Sequence, residues 1–177
     1  MIHTRVGYAG GTSPSPTYGR IGDHAETIQV DYDPTVITYE ELLTLFWSSH
    51  SPISRASSRQ YASIIHYATE VEKLLAEQSL QEQETALGRK VYTEIIPLTG
   101  FTLAEDYHQK YYLQNQVGLM SEFAAIYPVF MDFIDSTAAA RVNGYVGRNG
   151  SLEQLKAEIG QLGLSDKAQE ALQGYLK

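Results

Sequence analysis

The stretch that decides the fold is TIQVDYDPTVITYEELLTLFW, residues 27–47. Its first six residues alternate polar and apolar side chains, the pattern of a half-buried strand. The apolar face of that strand would consist of Ile28, Val30 and Tyr32. Asp33-Pro34 then predicts a turn, and Thr38 with Glu41 forms a capping box that begins a helix. A strand followed directly by a core-facing helix predicts a mixed α/β domain.

Downstream, the same alternation of element types continues. Residues 61–67 and 91–96 read as strands. Between them, a second capping box at Thr69 begins a long helix over 69–87, and Gly88 is placed to end it. Upstream, residues 1–20 are rich in glycine and proline and read as loop, with only Thr4-Arg5-Val6 as the tail of a strand.

Beyond residue 116 the pattern is helical only, after a short predicted helix over 104–113. The predicted features of this part are a helix over 121–133 kinked at Pro128, a helix over 135–142, a loop around Gly144, and helices that begin at Ser151 and Ser165. The sequence therefore predicts two parts: an α/β two-layer sandwich with a mixed sheet over 1–115, and a helical C-terminal extension over 116–177.

Composition excludes several functions. Of 177 residues, 43% are hydrophobic and the formal net charge is −8, so the chain is a globular protein poorly suited to gripping nucleic-acid phosphates. No stretch approaches the ~18 apolar residues of a membrane span, and the N-terminus shows no secretory signal. We therefore expect a cytoplasmic protein. The chain has no cysteine, which rules out disulfides, thiolate metal sites and a cysteine nucleophile within it.

Glu26 is the first candidate for chemistry, because it lies beside His24 where a loop enters a strand. If partly desolvated, such a carboxyl group could donate a proton; otherwise it is a solvated strand-end acid. A metal site built from Glu26 with His24, His66 and His108 lacks ligand spacing, so we expect ordinary histidines and no metal. The 13 tyrosines could line a pocket through their hydroxyl groups or simply pack.

Several motifs together resemble peptide methionine sulfoxide reductase A. They occur in order between residue 3 and about residue 115: Thr4-Arg5-Val6-Gly7-Tyr8-Ala9-Gly10-Gly11, Pro16-Thr17-Tyr18, His24-Ala25-Glu26, Val30-Asp31-Tyr32-Asp33-Pro34, Tyr39-Glu40-Glu41-Leu42-Leu43, Phe46-Trp47, His50, Gln60-Tyr61 and Ala104-Glu105-Asp106-Tyr107-His108-Gln109. The resemblance implies a ferredoxin-like α/β sandwich that reduces the S-epimer of methionine sulfoxide, free or in proteins. It implies no cofactor, and thioredoxin or another thiol as reductant.

Site residues follow from the resemblance position by position. Glu26 matches the acid that protonates the sulfoxide oxygen. Tyr8 and Tyr61 match tyrosines that hold this oxygen, and an acid with two hydroxyl donors could stabilise charge developing there. We also expect His24, Tyr107 and His108 to contribute to substrate binding.

The chain departs from this family in its nucleophile. The family attacks the sulfoxide sulfur with a cysteine in a Gly-Cys-Phe-Trp motif, and neither that motif nor a resolving cysteine is present. The pocket aspartate is also missing from residues 51–59. Either the true start lies further upstream, or the chain is a cysteine-free relative that binds methionine-like groups without catalysis. Docking of a partner through the apolar run 123–133 is a third interpretation.

Overall fold

The structure is a computed structural model and describes residues 2–176. Its strands are β1 (His3–Ala9), β2 (Ala25–Asp31), β3 (Ile64–Tyr67), β4 (Glu94–Pro97) and β5 (Phe101–Leu103). Its α-helices are α1 (Tyr39–Ser48), α2 (Glu70–Leu87), α3 (Tyr111–Gln114), α4 (Val117–Ile126), α5 (Phe130–Ile134), α6 (Thr137–Val146), α7 (Leu152–Glu158) and α8 (Asp166–Gln173). Single 3-10 turns lie at Arg59–Tyr61, Asp106–His108, Ile159–Gln161 and Gly174–Leu176.

The strands form two small sheets. One has the order β2-β1-β5, and β1 and β5 are antiparallel with Gly7 opposite Leu103. The other is the parallel pair of β3 and β4, with Ile64 opposite Glu94. Parallel and antiparallel pairing therefore both occur, and the predicted mixed α/β class is confirmed.

Strand β1 corrects the prediction that residues 1–20 are mostly loop. The strand runs to Ala9, and Tyr8 and Ala9 are fully buried in it. Gly7 is a packing requirement in this strand, because a Cβ atom there would lie 2.3 Å from the Thr102 carbonyl oxygen and 2.4 Å from the Phe101 ring. Gly7, which the sequence suggested was a loop residue, instead allows β1 and β5 to approach closely.

The other strands also differ from their predicted bounds. Strand β2 begins at Ala25 and ends before Tyr32, and Ile28 is 60% exposed, so the expected apolar face is wrong at that residue. Strand β3 is shorter than predicted because Tyr61 lies in a 3-10 turn. Residues 91–93 precede β4 rather than forming it, and Pro97 is the last residue of β4.

Helices α1 and α2 confirm the predictions made from their caps. The Thr38 and Thr69 side chains accept hydrogen bonds from the N3 backbone, and both capping boxes are complete. Gly88 ends α2 in the left-handed region, with φ of 60°. These helices are joined by the Trp47 indole, which donates to the Ser79 hydroxyl at 3.1 Å. Their shared core contains Leu43, Trp47, Ile65 and Ala76.

The C-terminal part is helical, as predicted, but the bounds of its helices differ: the helix predicted over 135–142 is α6, which extends to Val146. The helix predicted over 104–113 is instead the 3-10 turn Asp106–His108 followed by α3. The kinked helix predicted over 121–133 is two helices, α4 and α5, on either side of Pro128. Gly144 lies inside α6 rather than in a loop. The caps predicted at Ser151 and Ser165 are both present.

The chain divides into two compact units. One comprises Met1–Arg5, Gln29–Asp31 and Glu105–Lys177, and the other comprises Val6–Ile28 and Tyr32–Ala104. The predicted domain boundary after residue 115 stays a prediction. Between residues 2 and 176, no helix combines the length and the hydropathy of a membrane span.

Candidate functional site

Glu26 lies one residue into β2, with its side chain exposed. The side-chain amide of Gln60 donates a hydrogen bond to its Oε1 atom at 2.7 Å. Gln60 is held for this contact by the 3-10 turn Arg59–Tyr61. This bond holds the Glu26 carboxyl group beside the turn.

Tyr61 follows Gln60 in the same turn and bonds to a second tyrosine. Its hydrogen bond to the Tyr18 side chain raises the pKa of Tyr61, and the nearby negative charge of Glu26 raises this pKa further. The Tyr18 and Tyr61 side chains are 43% and 55% exposed, so both phenols are accessible to a ligand. We call Glu26, Gln60, Tyr61 and Tyr18 the acid–phenol cluster.

Tyr8 has a different environment from these two tyrosines. It lies in β1 and is only 2% exposed, among the largest fully buried side chains. Its predicted contact with a sulfoxide oxygen stays a prediction. Tyr18 was not among the predicted site residues, yet it is the tyrosine that bonds to Tyr61.

His24 belongs to a tightly bonded loop that leads to Glu26. Its Nε2 atom is 2.9 Å from the Ser13 carbonyl oxygen, and the residue is 8% exposed. Beside it, Asp23 accepts the backbone N–H groups of Ser13 and Thr12, each at 2.9 Å. These bonds, with the Ser13 bond foremost, hold the pKa of Asp23 below its usual range. These contacts give His24 a part in shaping the loop, and its predicted contact with substrate stays a prediction.

The 3-10 turn that carries Gln60 and Tyr61 is fixed at both of its flanks. At one flank, Arg59 Nη1 contacts the two carboxylate oxygens of Glu94 at 2.7 and 2.8 Å. At the other, the Ser63 hydroxyl is 2.8 Å from His50 Nε2 and 2.9 Å from the Thr93 hydroxyl. The turn is therefore attached to residues 93–94 on both sides.

Tyr107 and His108 lie in the other compact unit, in the 3-10 turn Asp106–His108. Their rings are 4.2 Å apart, and His108 Nε2 is 4.0 Å from a Glu105 carboxylate oxygen. Their expected contribution to substrate binding stays a prediction. Over residues 2–176, no three histidine, aspartate or glutamate side chains are grouped as metal ligands would be.

The fold and the cluster define a mixed α/β protein with a surface site made of one carboxylate, one amide and two phenols. Comparison with known proteins identifies its family. The sequence pattern of peptide methionine sulfoxide reductase matches residues 1–144. The pattern described as the helical domain of selenoprotein methionine sulfoxide reductase A matches residues 132–174. The chain belongs to the peptide methionine sulfoxide reductase family.

Individual relatives agree with this assignment. The peptide methionine sulfoxide reductase of Drosophila melanogaster is 44% identical over 167 residues, covering 93% of this chain and 67% of that protein. The enzyme named MsrA from Sulfolobus acidocaldarius is 40% identical over 121 residues, covering 63% of this chain and 69% of that protein. The crystal structure of reduced Mxr1 from Saccharomyces cerevisiae has a TM-score of 0.58 at 33% identity, covering 64% of this chain and 71% of that chain.

Sequence reasoning located part of the cluster and missed the rest. It assigned roles to Glu26 and Tyr61, which the structure brings together through Gln60. Tyr18 and Gln60 stand inside recognised motifs, Pro16-Thr17-Tyr18 and Gln60-Tyr61, and this was the available signal. Arg59 had no signal at all, because its partner Glu94 lies 35 residues away.

Proposed function

We propose that this chain binds oxidised methionine through its sulfoxide group, as the recognition part of methionine sulfoxide repair. The acid–phenol cluster would hold the sulfoxide oxygen, with the Glu26 carboxyl group and one of the two phenol hydroxyls as donors, because the other hydroxyl donates within the Tyr61–Tyr18 pair. The observation that carries the proposal is the bonding of these side chains into one group: Gln60 to Glu26, and Tyr61 to Tyr18.

The chemistry of a sulfoxide fits such donors. Its oxygen carries partial negative charge, which grows as the sulfur–oxygen bond breaks, so donors placed at that oxygen stabilise the reaction. The oxygen must also gain a proton before it leaves the sulfur. The Glu26 carboxyl group, which the Gln60 bond holds beside the turn, would supply it.

The reducing sulfur is not part of this chain, which has no cysteine. We therefore expect binding without turnover: the chain as given does not reduce methionine sulfoxide when supplied with a dithiol. In the complete reaction a thiol partner such as thioredoxin would restore the nucleophile, which requires a reducing compartment such as the cytoplasm. The alternative function is a non-catalytic module that binds methionine sulfoxide for regulation.

Calorimetric titration tests the binding proposal. A blocked methionine (S)-sulfoxide should bind and blocked methionine should not, because only the sulfoxide accepts hydrogen bonds from the cluster. In Glu26→Gln the side-chain amide still donates, so binding should persist. Tyr61→Phe should weaken binding about fivefold.

Two results would reject the binding proposal. Equal affinity for methionine and its sulfoxide would show that the oxygen is not recognised. Unchanged affinity in both Glu26→Ala and Tyr61→Phe would show that the sulfoxide binds elsewhere. Turnover of the purified chain with a dithiol would separately reject the expectation of binding without reduction.

We further propose that the nucleophile working with this chain is selenium. This rests on the match of residues 132–174 to the helical domain of a selenoprotein of this family, together with the absence of cysteine from the chain. A selenolate would attack the sulfoxide sulfur, the oxygen would gain a proton, the sulfur–oxygen bond would break, and the hydroxyl would pass to selenium. The products would be methionine, as the thioether, and a selenenic acid. Two thiols would then reduce that acid to selenol and water, forming one disulfide.

The selenium proposal is tested on the protein made by its natural source. Mass spectrometry of tryptic peptides should find a selenium isotope pattern in a peptide of the intact product, and the coding sequence for that peptide should contain an in-frame UGA codon. A cysteine at the corresponding position would reject selenium while leaving the binding proposal unaffected.

A further inference from the structure

Arg59 begins the turn that carries two members of the acid–phenol cluster. Its Nη1 atom bonds both carboxylate oxygens of Glu94, at 2.7 and 2.8 Å. Its Nε atom is 3.4 Å from the backbone carbonyl oxygen of Asp23, three residues before Glu26. The Arg59 guanidinium group therefore connects the turn to β4 and to the loop that precedes Glu26 in the chain.

The opposite flank of the turn is attached to the same place. The Glu94 backbone N–H donates to the Ser63 carbonyl oxygen at 3.0 Å, and the Ser63 hydroxyl contacts Thr93. Only Gln60, Tyr61 and Ala62 lie between these two attachments. Fixing both flanks of so short a segment leaves its side chains little freedom of direction.

We propose that Arg59 is a positioning residue of the sulfoxide site: through its contacts with Glu94 and Asp23 it sets where Gln60 meets Glu26 and where Tyr61 meets Tyr18. Its sulfoxide-related role rests on the proposed function, whereas its effect on the turn does not. Arg59 itself touches neither the substrate nor the reacting atoms.

The exposure of the ion pair distinguishes positioning from general stabilisation. The Arg59 and Glu94 side chains are 33% and 49% exposed, and pairs this open to water contribute little to the free energy of unfolding. What arginine adds is a planar fork whose several N–H groups reach two acceptors at once. A lysine ammonium would keep the charge and lose the fork, so Arg59→Lys isolates geometry from charge.

The test follows the ionisation of Tyr61 in the full chain, by tyrosine-ring NMR with Tyr61→Phe to assign the signal. The titratable groups facing Tyr61 are Tyr18 and Glu26. In Arg59→Lys and Arg59→Gln the turn should move, the bond to Tyr18 should break, and the pKa of Tyr61 should fall towards its ordinary value. Loss of a nearby positive charge alone would raise this pKa, so the sign of the change separates the two causes.

Arg55→Gln is the matched control. It removes the same charge four residues before the turn, but the Arg55 guanidinium lies over the Tyr92 ring at 4.5 Å and no contact with a member of the cluster is seen for it. Its Tyr61 titration should equal that of the wild type. Binding of blocked methionine (S)-sulfoxide should weaken about tenfold in Arg59→Lys, because the donors are displaced, and stay unchanged in Arg55→Gln.

The Tyr61 titration tests the positioning role of Arg59, and sulfoxide binding by the wild type tests the proposed function. A Tyr61 pKa that is unchanged or raised in Arg59→Lys overturns the positioning role, whatever the binding data show. A wild-type chain that fails to bind the sulfoxide overturns the proposed function, and the Tyr61 titration still decides the role of Arg59. If Arg59→Gln does not fold, Arg59→Lys and Glu94→Gln provide the same measurement.

Discussion

At residue 7 the backbone of strand β1 passes so close to β5 that only glycine fits. A single added carbon atom would meet the Thr102 carbonyl oxygen at 2.3 Å, and that oxygen belongs to the backbone of β5 and cannot rotate away. The next two residues of β1, Tyr8 and Ala9, are buried. The packing of this strand therefore depends on the absence of one side chain.

Gly7→Ala should lower the free energy of unfolding by about 3 kcal/mol, because the two strands must separate to admit the methyl group. Gly100→Ala is the control, since a Cβ atom there would meet nothing within 4 Å. Urea unfolding of both variants measures the difference. Equal stability of the two alanine variants would contradict the close approach of β1 and β5.

The tyrosines in the recognised motifs show why the members of the candidate site were only partly predictable from the sequence. The resemblance to the family assigned roles to Glu26 and Tyr61 through the motifs that contain them, and these roles stay predictions. Tyr8 and Tyr18 look equivalent as loop tyrosines in the sequence. Only the pairing of β1 with β5 buries Tyr8, and only the fold brings Tyr18 to Tyr61.

At the scale of elements, helix starts are determined by residues close to one another in the chain. In the box that begins α2, the Thr69 hydroxyl accepts from the Glu72 backbone N–H at 3.2 Å. The Glu72 carboxylate in turn accepts the backbone N–H groups of Ala68 at 2.7 Å and Thr69 at 3.3 Å. Through these bonds the three residues satisfy backbone donors that the helix itself leaves without a partner, so α2 needs no distant partner to begin there.

Thr69→Ala should therefore destabilise the chain by about 1 kcal/mol, the typical value of a helix N-cap. Thr85→Ala, in the last turn of the same helix, is its control, because that hydroxyl bonds only to the Gln81 carbonyl oxygen within the helix. Thermal unfolding followed by circular dichroism compares them. A loss in Thr85→Ala as large as in Thr69→Ala would show that the cap is not the cause.

Local determination also explains which elements the sequence predicted well. Helices α1, α2, α7 and α8 begin where their caps indicate. Strand β1 pairs with β5, which lies more than 90 residues further along the chain, so the bounds of β1 could not be read from local sequence. Ile28 makes the same point, since alternation predicts two faces but not which face is covered.

At the scale of the whole molecule, partly buried polar contacts hold one compact unit together from distant parts of the chain. In that unit, Arg5 Nε donates to Asp135 at 2.8 Å and Arg5 Nη1 to Asp31 at 3.1 Å. The Lys110 ammonium group donates to the Thr4 carbonyl oxygen. The sequence pattern does not predict the contacts of Arg5 with Asp135 and of Lys110 with Thr4, because each joins residues more than 100 positions apart.

Lys110 should make stability depend on pH in the alkaline range. Burial lowers the pKa of Lys110 to about 8, from 10.5 for a free side chain. Below pH 8 both folded and unfolded chains carry this proton, and the cost of burying the charge is fully present. As the pH rises towards 10.5 the folded chain loses the proton first, so the free energy of unfolding should rise, by about 3 kcal/mol in total.

Urea unfolding across this pH range measures the effect as the difference between the wild type and Lys110→Met. The difference should change with pH in the stated direction. Lys167→Met, which removes an exposed lysine of α8, should show no such change relative to the wild type. A flat difference for Lys110→Met would mean that the ammonium group is hydrated in the folded state.

Because that unit is built from segments far apart in the chain, it also affects the order in which the chain folds during synthesis. Residues 6–104 contain the whole of one unit, and the ribosome translates them well before Asp135, the partner of Arg5. The beginning of β1 and the end of β2 must therefore wait, with Arg5 and Asp31 hydrated, until the helices that complete their unit have been translated. Closing that unit joins Arg5 to Asp135 and Thr4 to Lys110, a slow step because contacts between residues so far apart in the chain require the closure of long loops.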